Sequence, residues 1–251
     1  ETGLRLHCID CQSLWLDETA SAYWTATPLM ELFRDTADNL HVPGYYLLLR
    51  SWVALAGDSP FSLRYFSLLG GFPIMPLAFW FARRFLRHGP YAPVAMLVAA
   101  LNPALIYYSQ ETRMYSLLPV LYLLQLALVL KVSERPRHWH WMLLASLEIT
   151  ALYFHLFSAL MVVAVNICLL YIYWRQQPTS RFVRSWLGSQ TIVALLVLPW
   201  LLFLWYGGGA LPANLGDTTG GTATLNLGAY FTQVWTFLVT GLTSVRAPLL
   251  Y

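Results

Sequence analysis

The sequence predicts an all-α, polytopic transmembrane helical bundle, and three observations carry that prediction. Apolar residues make up 58% of the chain and charged residues 11%, against about 45–50% and about 25% in soluble domains. Mean hydropathy is +0.54. Apolar runs long enough to cross a bilayer recur along the chain, and arginines fill alternate loops between them. Beside that placement, the net charge of +3 says little. Tryptophan and tyrosine gather near the ends of the runs, as interfacial anchors do. No nucleic-acid partner is expected.

Residues 1–61 predict an outer loop with interfacial helices. Cys8 and Cys11 form a lone C-x-x-C, half of a four-ligand zinc site, so the pair is better read as a disulfide or two idle thiols than as a metal centre. Ala20 to Leu40, with Pro28 inside it, predicts a short amphipathic helix and loop. His41 to Gly57 is apolar with Arg50 in its middle, and it is too short to span a core that needs about 20 residues. It predicts a helix lying in the interface.

Residues 62–251 predict about seven spans, at 62–82, 91–109, 114–131, 140–154, 157–174, 187–206 and 228–245. Arg83, Arg84 and Arg87 follow the first, Lys131, Arg135 and Arg137 the third, Arg175, Arg181 and Arg184 the fifth, and Arg246 the seventh. The intervening loops carry little basic charge, and loop 207–227 holds only Asp217. The positive-inside rule then puts the arginine loops in the cytoplasm and the Asp17 loop outside, in a multi-pass protein of the cytoplasmic (inner) membrane. If 41–57 crossed the bilayer, every arginine cluster would face outward. Between Arg137 and Trp174 two full-length helices do not fit at about 1.5 Å per residue. A single long one would break the alternation, so two short ones are expected. Pro73, Pro76, Pro103, Pro119 and Pro199 lie within or near span ends, as kinks that membrane helices tolerate. No internal repeat of the inverted-transporter kind is present. The chain starts at Glu1 with no Met and ends at Tyr251 soon after an apolar run, which suggests a fragment cut at both ends.

On this topology three clusters share the outer side: Asp17-Glu18, the His41-Val42-Pro43-Gly44-Tyr45-Tyr46 block, and Tyr107 to Tyr115. Carboxylates beside a bilayer are costly unless they meet water or have a task. Together the clusters are expected to border one water-filled cavity, with Asp17 and Glu111 on its edge and Arg113 and His41 on its wall.

SLWLDE, HVPGYYLLLRSW and LNPALIYYSQETRMYSLL, in that order, resemble three successive blocks of the GT-C membrane glycosyltransferases. The likeness is to the bacterial branch related to protein O-mannosyltransferases and lipid A aminoarabinose transferases, and it covers about the first 205 residues. ALYFHLFSAL and Leu198-Pro199-Trp200 also have the look of that branch. The family's second block often reads H-P-P-L-Y; here it is His41-Val42-Pro43-Gly44-Tyr45. The resemblance implies a polyprenyl-phosphate-linked sugar as donor, entering from the membrane lipid, and an acceptor that is a lipid, protein or glycan. It implies one inverting displacement, with Asp17 as general base and Glu18 and Glu111 as supporting acids. Arg113, whose fork suits phosphate oxygens, joins His41, Tyr45, Arg64, Gln110, Tyr115 and His155 as candidate donor- or acceptor-binding residues. No metal ligands are assigned, although the resemblance leaves a divalent ion at Glu111 open as a cofactor. The rival class is a non-catalytic lipid-carrier flippase or transporter, which would place its key charges near the bilayer midplane. Glu148 is the acid so placed; a hydrogen bond to Thr150 or to a neighbouring helix is its other expected role.

Overall fold

The computed structural model describes residues 2–86 and 89–206, and every regular element among them is helical. Five helices precede or open the bundle: α1 (Thr2–Leu6), α2 (Leu16–Ala26), α3 (Leu29–Asp38), α4 (Gly44–Ala56) and α5 (Pro60–Gly71). They are followed by α6 (Ile74–Phe85), α7 (Tyr91–Leu101), α8 (Pro103–Ser109), a 3₁₀ turn at Met114–Ser116, and α9 (Leu117–Glu134). The last three are α10 (His138–Phe154), α11 (Ser158–Gln176) and α12 (Ser180–Tyr206).

Local chemistry sets most of these boundaries. Gly57 closes α4 at φ 82°, a left-handed conformation that costs glycine nothing. Ser59 then caps α5 by accepting the Ser62 N–H at 3.2 Å, with Pro60 at the first helical position. Asn102 repeats the device, accepting the Leu105 N–H at 3.0 Å ahead of Pro103. Because Pro103 cannot continue α7, the α7–α8 pair bends by 51°.

Four stretches are long and apolar enough to cross a membrane: Pro60–Phe85, Met114–Glu134, Ser158–Gln176 and Ser180–Trp205, with a fifth if bent α7–α8 counts as one span. The first is α5 and α6 joined through Phe72-Pro73 rather than one unbroken helix. α10, with 17 residues, reaches about 25 Å, slightly short of the hydrocarbon core. The expected break after it falls at His155 to Phe157; α10 is short as expected, whereas α11, with 19 residues, is long enough to cross. α12 starts earlier than the sequence predicts and takes Arg181 and Arg184 into its first turns. The seventh expected span, loop 207–227 with Asp217, Arg87 and Arg246 all lie outside the described residues.

The helix ends sort by charge. One end of the bundle gathers Arg83 and Arg84 of α6, Lys131 of α9, Arg135 and Arg137 before α10, Arg175 of α11, and Arg181 and Arg184 of α12. Arg84 pairs there with Glu134, and Arg181 meets His138. α2, α3 and α4 cover the opposite end. α4 packs on α5 and α10, and α3 touches α12. Tyr45, Tyr46 and Leu49 of α4 are fully buried in a core with Trp24, Leu63, Met114 and Phe154. A Cβ at Gly44 would come 2.6 Å from the Tyr153 carbonyl oxygen, so glycine is what lets α4 close on α10. A second core, around Leu128, Val132, Leu144, Val165 and Leu169, holds the arginine-rich end. Elsewhere the spans turn large apolar side chains outward, among them Leu160, Val163, Ile167 and Leu170, as expected where lipid is the solvent.

Candidate active site

Consecutive acids at the start of α2 take different arginines, and that divides the candidate residues into two groups. Glu18 is 1% exposed. Its Oε1 accepts from Arg64 Nε at 2.8 Å and from the Thr112 N–H at 2.9 Å, while Oε2 accepts from Arg64 Nη2 at 2.6 Å and from the Trp15 N–H at 3.3 Å. Arg64 spends its remaining donors on the carbonyls of Ile9, Gln12 and Ser13, at 2.7, 2.9 and 3.2 Å. Burial alone would raise the Glu18 carboxyl, but Arg64 and the Thr112 and Trp15 N–H groups outweigh it and hold it below the usual carboxylate range.

The sequence groups Glu18 with the catalytic acids and Arg64 and Gln110 with the binding residues; the geometry gives all three a fastening task. Both Glu18 oxygens are taken twice, and Arg64 has no donor left over. Gln110 Nε2 donates to the carbonyls of Arg5 and His7 at 3.0 Å each. Together they tie the segment 5–18 to α5 and to the turn after α8. The expected choice for Cys8 and Cys11 resolves as a disulfide within that segment.

Asp17, one residue earlier, points the other way. Its Oδ2 lies 2.8 Å from Arg113 Nη2, and its side chain keeps 37% exposure against 4% for Arg113. Arg113 Nη1 donates to the Tyr46 hydroxyl at 2.9 Å and reaches Ser21 Oγ at 3.5 Å, whereas its buried Nε has no hydrogen-bond partner. The neighbouring block thus contributes Tyr46. Tyr45, the expected binding tyrosine, is 0% exposed and lies 3.4 Å from Ser67 Oγ in the core. Two tyrosines side by side on a helix face different ways, and the sequence does not say which one faces the acid.

Two histidines complete this group. His41 stacks beside Trp24 and Tyr46, and His155 lies beside Tyr115, with ring centroids 5.4, 6.2 and 6.2 Å apart respectively. Burial lowers both below the usual histidine range, and Arg113 adds to it in each case, so both rings are neutral near pH 7. His41 Nδ1 donates to the Asn39 carbonyl at 2.7 Å, which leaves Nε2 with a lone pair. His155 Nδ1 accepts the Phe157 N–H at 3.2 Å, which leaves the ring proton on Nε2. One of these imidazoles therefore has an accepting nitrogen left and the other a donating one.

Glu111 belongs to the other group. It is 6% exposed and hydrogen-bonded to the Tyr107 hydroxyl rather than ion-paired with Arg113. Burial pushes its carboxyl above the usual range, with Glu18 and Asp17 adding to the rise. A cavity of about 560 Å³ opens beside it, lined by Glu111, Tyr107, Gln110, Glu18, Arg64 and Trp15 among others. Of the four residues that the sequence places around one shared cavity, Glu111 lines this one and Asp17, Arg113 and His41 do not. The sequence misses Tyr107 as the partner of Glu111, although its spacing of four residues at the end of a helix is a readable signal.

No group of three or more His, Cys, Asp or Glu side chains among the described residues is placed to hold a metal ion. Of the acids near the site, Glu111 is engaged with Tyr107 and one Asp17 oxygen with Arg113. Deeper in the bundle, fully buried Glu148 accepts from Gln190 Nε2 at 2.9 Å, not from Thr150, and Gln190 Oε1 accepts from Asn166 at 2.9 Å. That chain joins α10, α12 and α11. No protein-family model, curated protein or solved structure matches this chain.

Proposed function

We propose that the chain is a membrane glycosyltransferase, which moves a sugar from a polyprenyl-phosphate carrier to an acceptor at the face of the membrane opposite its arginine-rich end. By the positive-inside rule that face is extracytoplasmic. The observation that carries this reading is the meeting of Asp17, Tyr46 and Arg113, residues from three distant blocks, at one end of an apolar bundle and beside two neutral histidines. Fixed polar groups at a lipid-facing end suit a donor with a charged head and an apolar tail. A transporter would favour acids at mid-depth, and Glu148 is there, but it is engaged with Gln190 in a link between helices.

The chemistry needs few parts. Arg113 holds one oxygen of Asp17, and the other, with no protein partner among the described residues, faces the more exposed side. That oxygen takes the proton from the acceptor hydroxyl as the hydroxyl oxygen attacks the anomeric carbon. The bond from that carbon to phosphate breaks, polyprenyl phosphate leaves, and the anomeric centre inverts. In this reading the Nε2–H of His155, which its Nδ1 bond leaves as a donor, steadies an oxygen of the reacting pair. Arg113 already holds Asp17 through Nη2 and Tyr46 through Nη1, so in this reading it positions the base.

The test is Asp17→Asn in the full-length protein, assayed in liposomes with a panel of polyprenyl-phosphate sugars. Transfer falls about 10²-fold or more, while donor binding and the amount of folded protein stay near wild type. Normal transfer by well-folded Asp17→Asn protein would remove Asp17 as the base.

A further inference from the structure

We propose that the bundle carries a specific site for one anionic glycerophospholipid at its arginine-rich end, between α6, α9 and α10. The site is independent of the chemistry at Asp17. A groove of about 480 Å³ lies there, walled by Leu77 of α6, Leu124 and Leu128 of α9, and Leu143 and Leu147 of α10. Its volume falls within the ~300–1,000 Å³ of ordinary ligand sites. From Leu124 to Lys131 it runs about 10 Å along α9, or a third of the ~30 Å hydrocarbon core. That length takes the upper part of an acyl chain.

The rim decides the head group. Lys131 closes the groove at the bundle end, with Trp139 and His140 beside it. A lysine stem lies along apolar surface while its ammonium reaches the interface, and tryptophan settles at that depth. His140 is already engaged, its Nδ1 against the Arg135 carbonyl at 3.1 Å. Among the described residues Glu134 is the one carboxylate at this end of the bundle, and Arg84 has taken it. Lys131 therefore faces an apolar slot with its charge uncompensated, and Arg135 and Arg137 sit just beyond. A phosphodiester on an acyl chain meets all three conditions: a tail for the leucines, an anion for the ammonium, and a depth set by the interface.

The experiment uses the full chain purified in neutral detergent and titrated with phosphatidylglycerol or phosphatidylcholine, followed by native mass spectrometry. One phosphatidylglycerol is retained in preference to phosphatidylcholine. Lys131→Gln, at an exposed position, weakens phosphatidylglycerol about fivefold and leaves phosphatidylcholine unchanged. Ala127→Trp, which fills the groove, abolishes the preference. Equal binding of the two lipids, or an unchanged phosphatidylglycerol affinity in Lys131→Gln, overturns the proposal. So does a cross-link from a cysteine at position 127 to residues 228–245, which would show the slot filled by the chain itself.

Discussion

Glu18→Gln offers the sharpest test of the division between fastening and reacting acids. The substitution keeps the shape of the side chain but removes its charge and turns one oxygen into a donor. Glu18 is 1% exposed and Arg64 6%. The guanidinium is thus left buried, keeping its three backbone carbonyls but no counter-charge. The new NH2 group also faces donors wherever it sits: Arg64 Nε and the Thr112 N–H in place of one oxygen, Arg64 Nη2 and the Trp15 N–H in place of the other. Breaking a buried pair by removing one partner costs about 3–5 kcal/mol. At roughly 2–4 °C per kcal/mol for a chain of this size, the unfolding midpoint in detergent should fall by about 6–20 °C at pH 7. Because the folded Glu18 carboxyl lies below its ordinary value of 4.5, its contribution is present above that value and is lost as pH falls through the lower folded one. The gap between wild type and variant should therefore narrow below about pH 4.5 and stay constant above it. Asp17→Asn is the control, since Asp17 is 37% exposed and an amide oxygen can still accept from Arg113; its midpoint should move much less. Equal losses for the two variants, or a Glu18→Gln loss of under a degree, would refute the assignment of Glu18 as a buried fastener.

Two further outcomes follow from the same geometry. Burial raises the Glu111 carboxyl, so its contribution to stability is complete below its ordinary value and is lost as pH rises through the raised one. Glu111→Gln should therefore raise the unfolding midpoint by a few degrees at pH 7 and by less at pH 4, as measured by thermal scans. For topology, Cys8 and Cys11 are already joined, so among these 251 residues Cys168 is the thiol to replace. With it replaced, a cysteine at Asp58 should react with an impermeant maleimide in intact cells and one at Ser180 should not. The opposite pattern would turn the bundle over.

The bundle was largely legible because its signals are one-dimensional. Alternating arginines fix which helix ends lie together, and the length of 41–57 rules out a crossing. The Pro103 bend and the His155 break each follow from a few neighbouring residues. Nothing in the residues around Gly44 explains it; its reason, the backbone of Tyr153, lies on another helix. The site was legible as a list and not as a geometry. Asp17, Arg113, His41 and His155 do gather, but nothing in Asp17-Glu18 says which acid takes Arg64 and which takes Arg113. A turn of about 100° on α2 decides that, and the decision depends on partners 46 residues away in one case and on the far side of α8 in the other. Tyr45 and Tyr46 exchange roles for the same reason.

The double grip of Glu18 also sets an order of events during synthesis. Arg64 follows it by 46 residues, and the Thr112 N–H by 94. At about 5–20 residues per second, the second partner emerges roughly 5–20 s after the acid itself. For the first half of that interval the segment around Glu18 has neither partner to hold it. Arg64 arrives first and neutralises Glu18, but Asp17 waits for Arg113, which follows α7 and α8. The end of the bundle that holds Asp17 is therefore completed well after the acid itself is made.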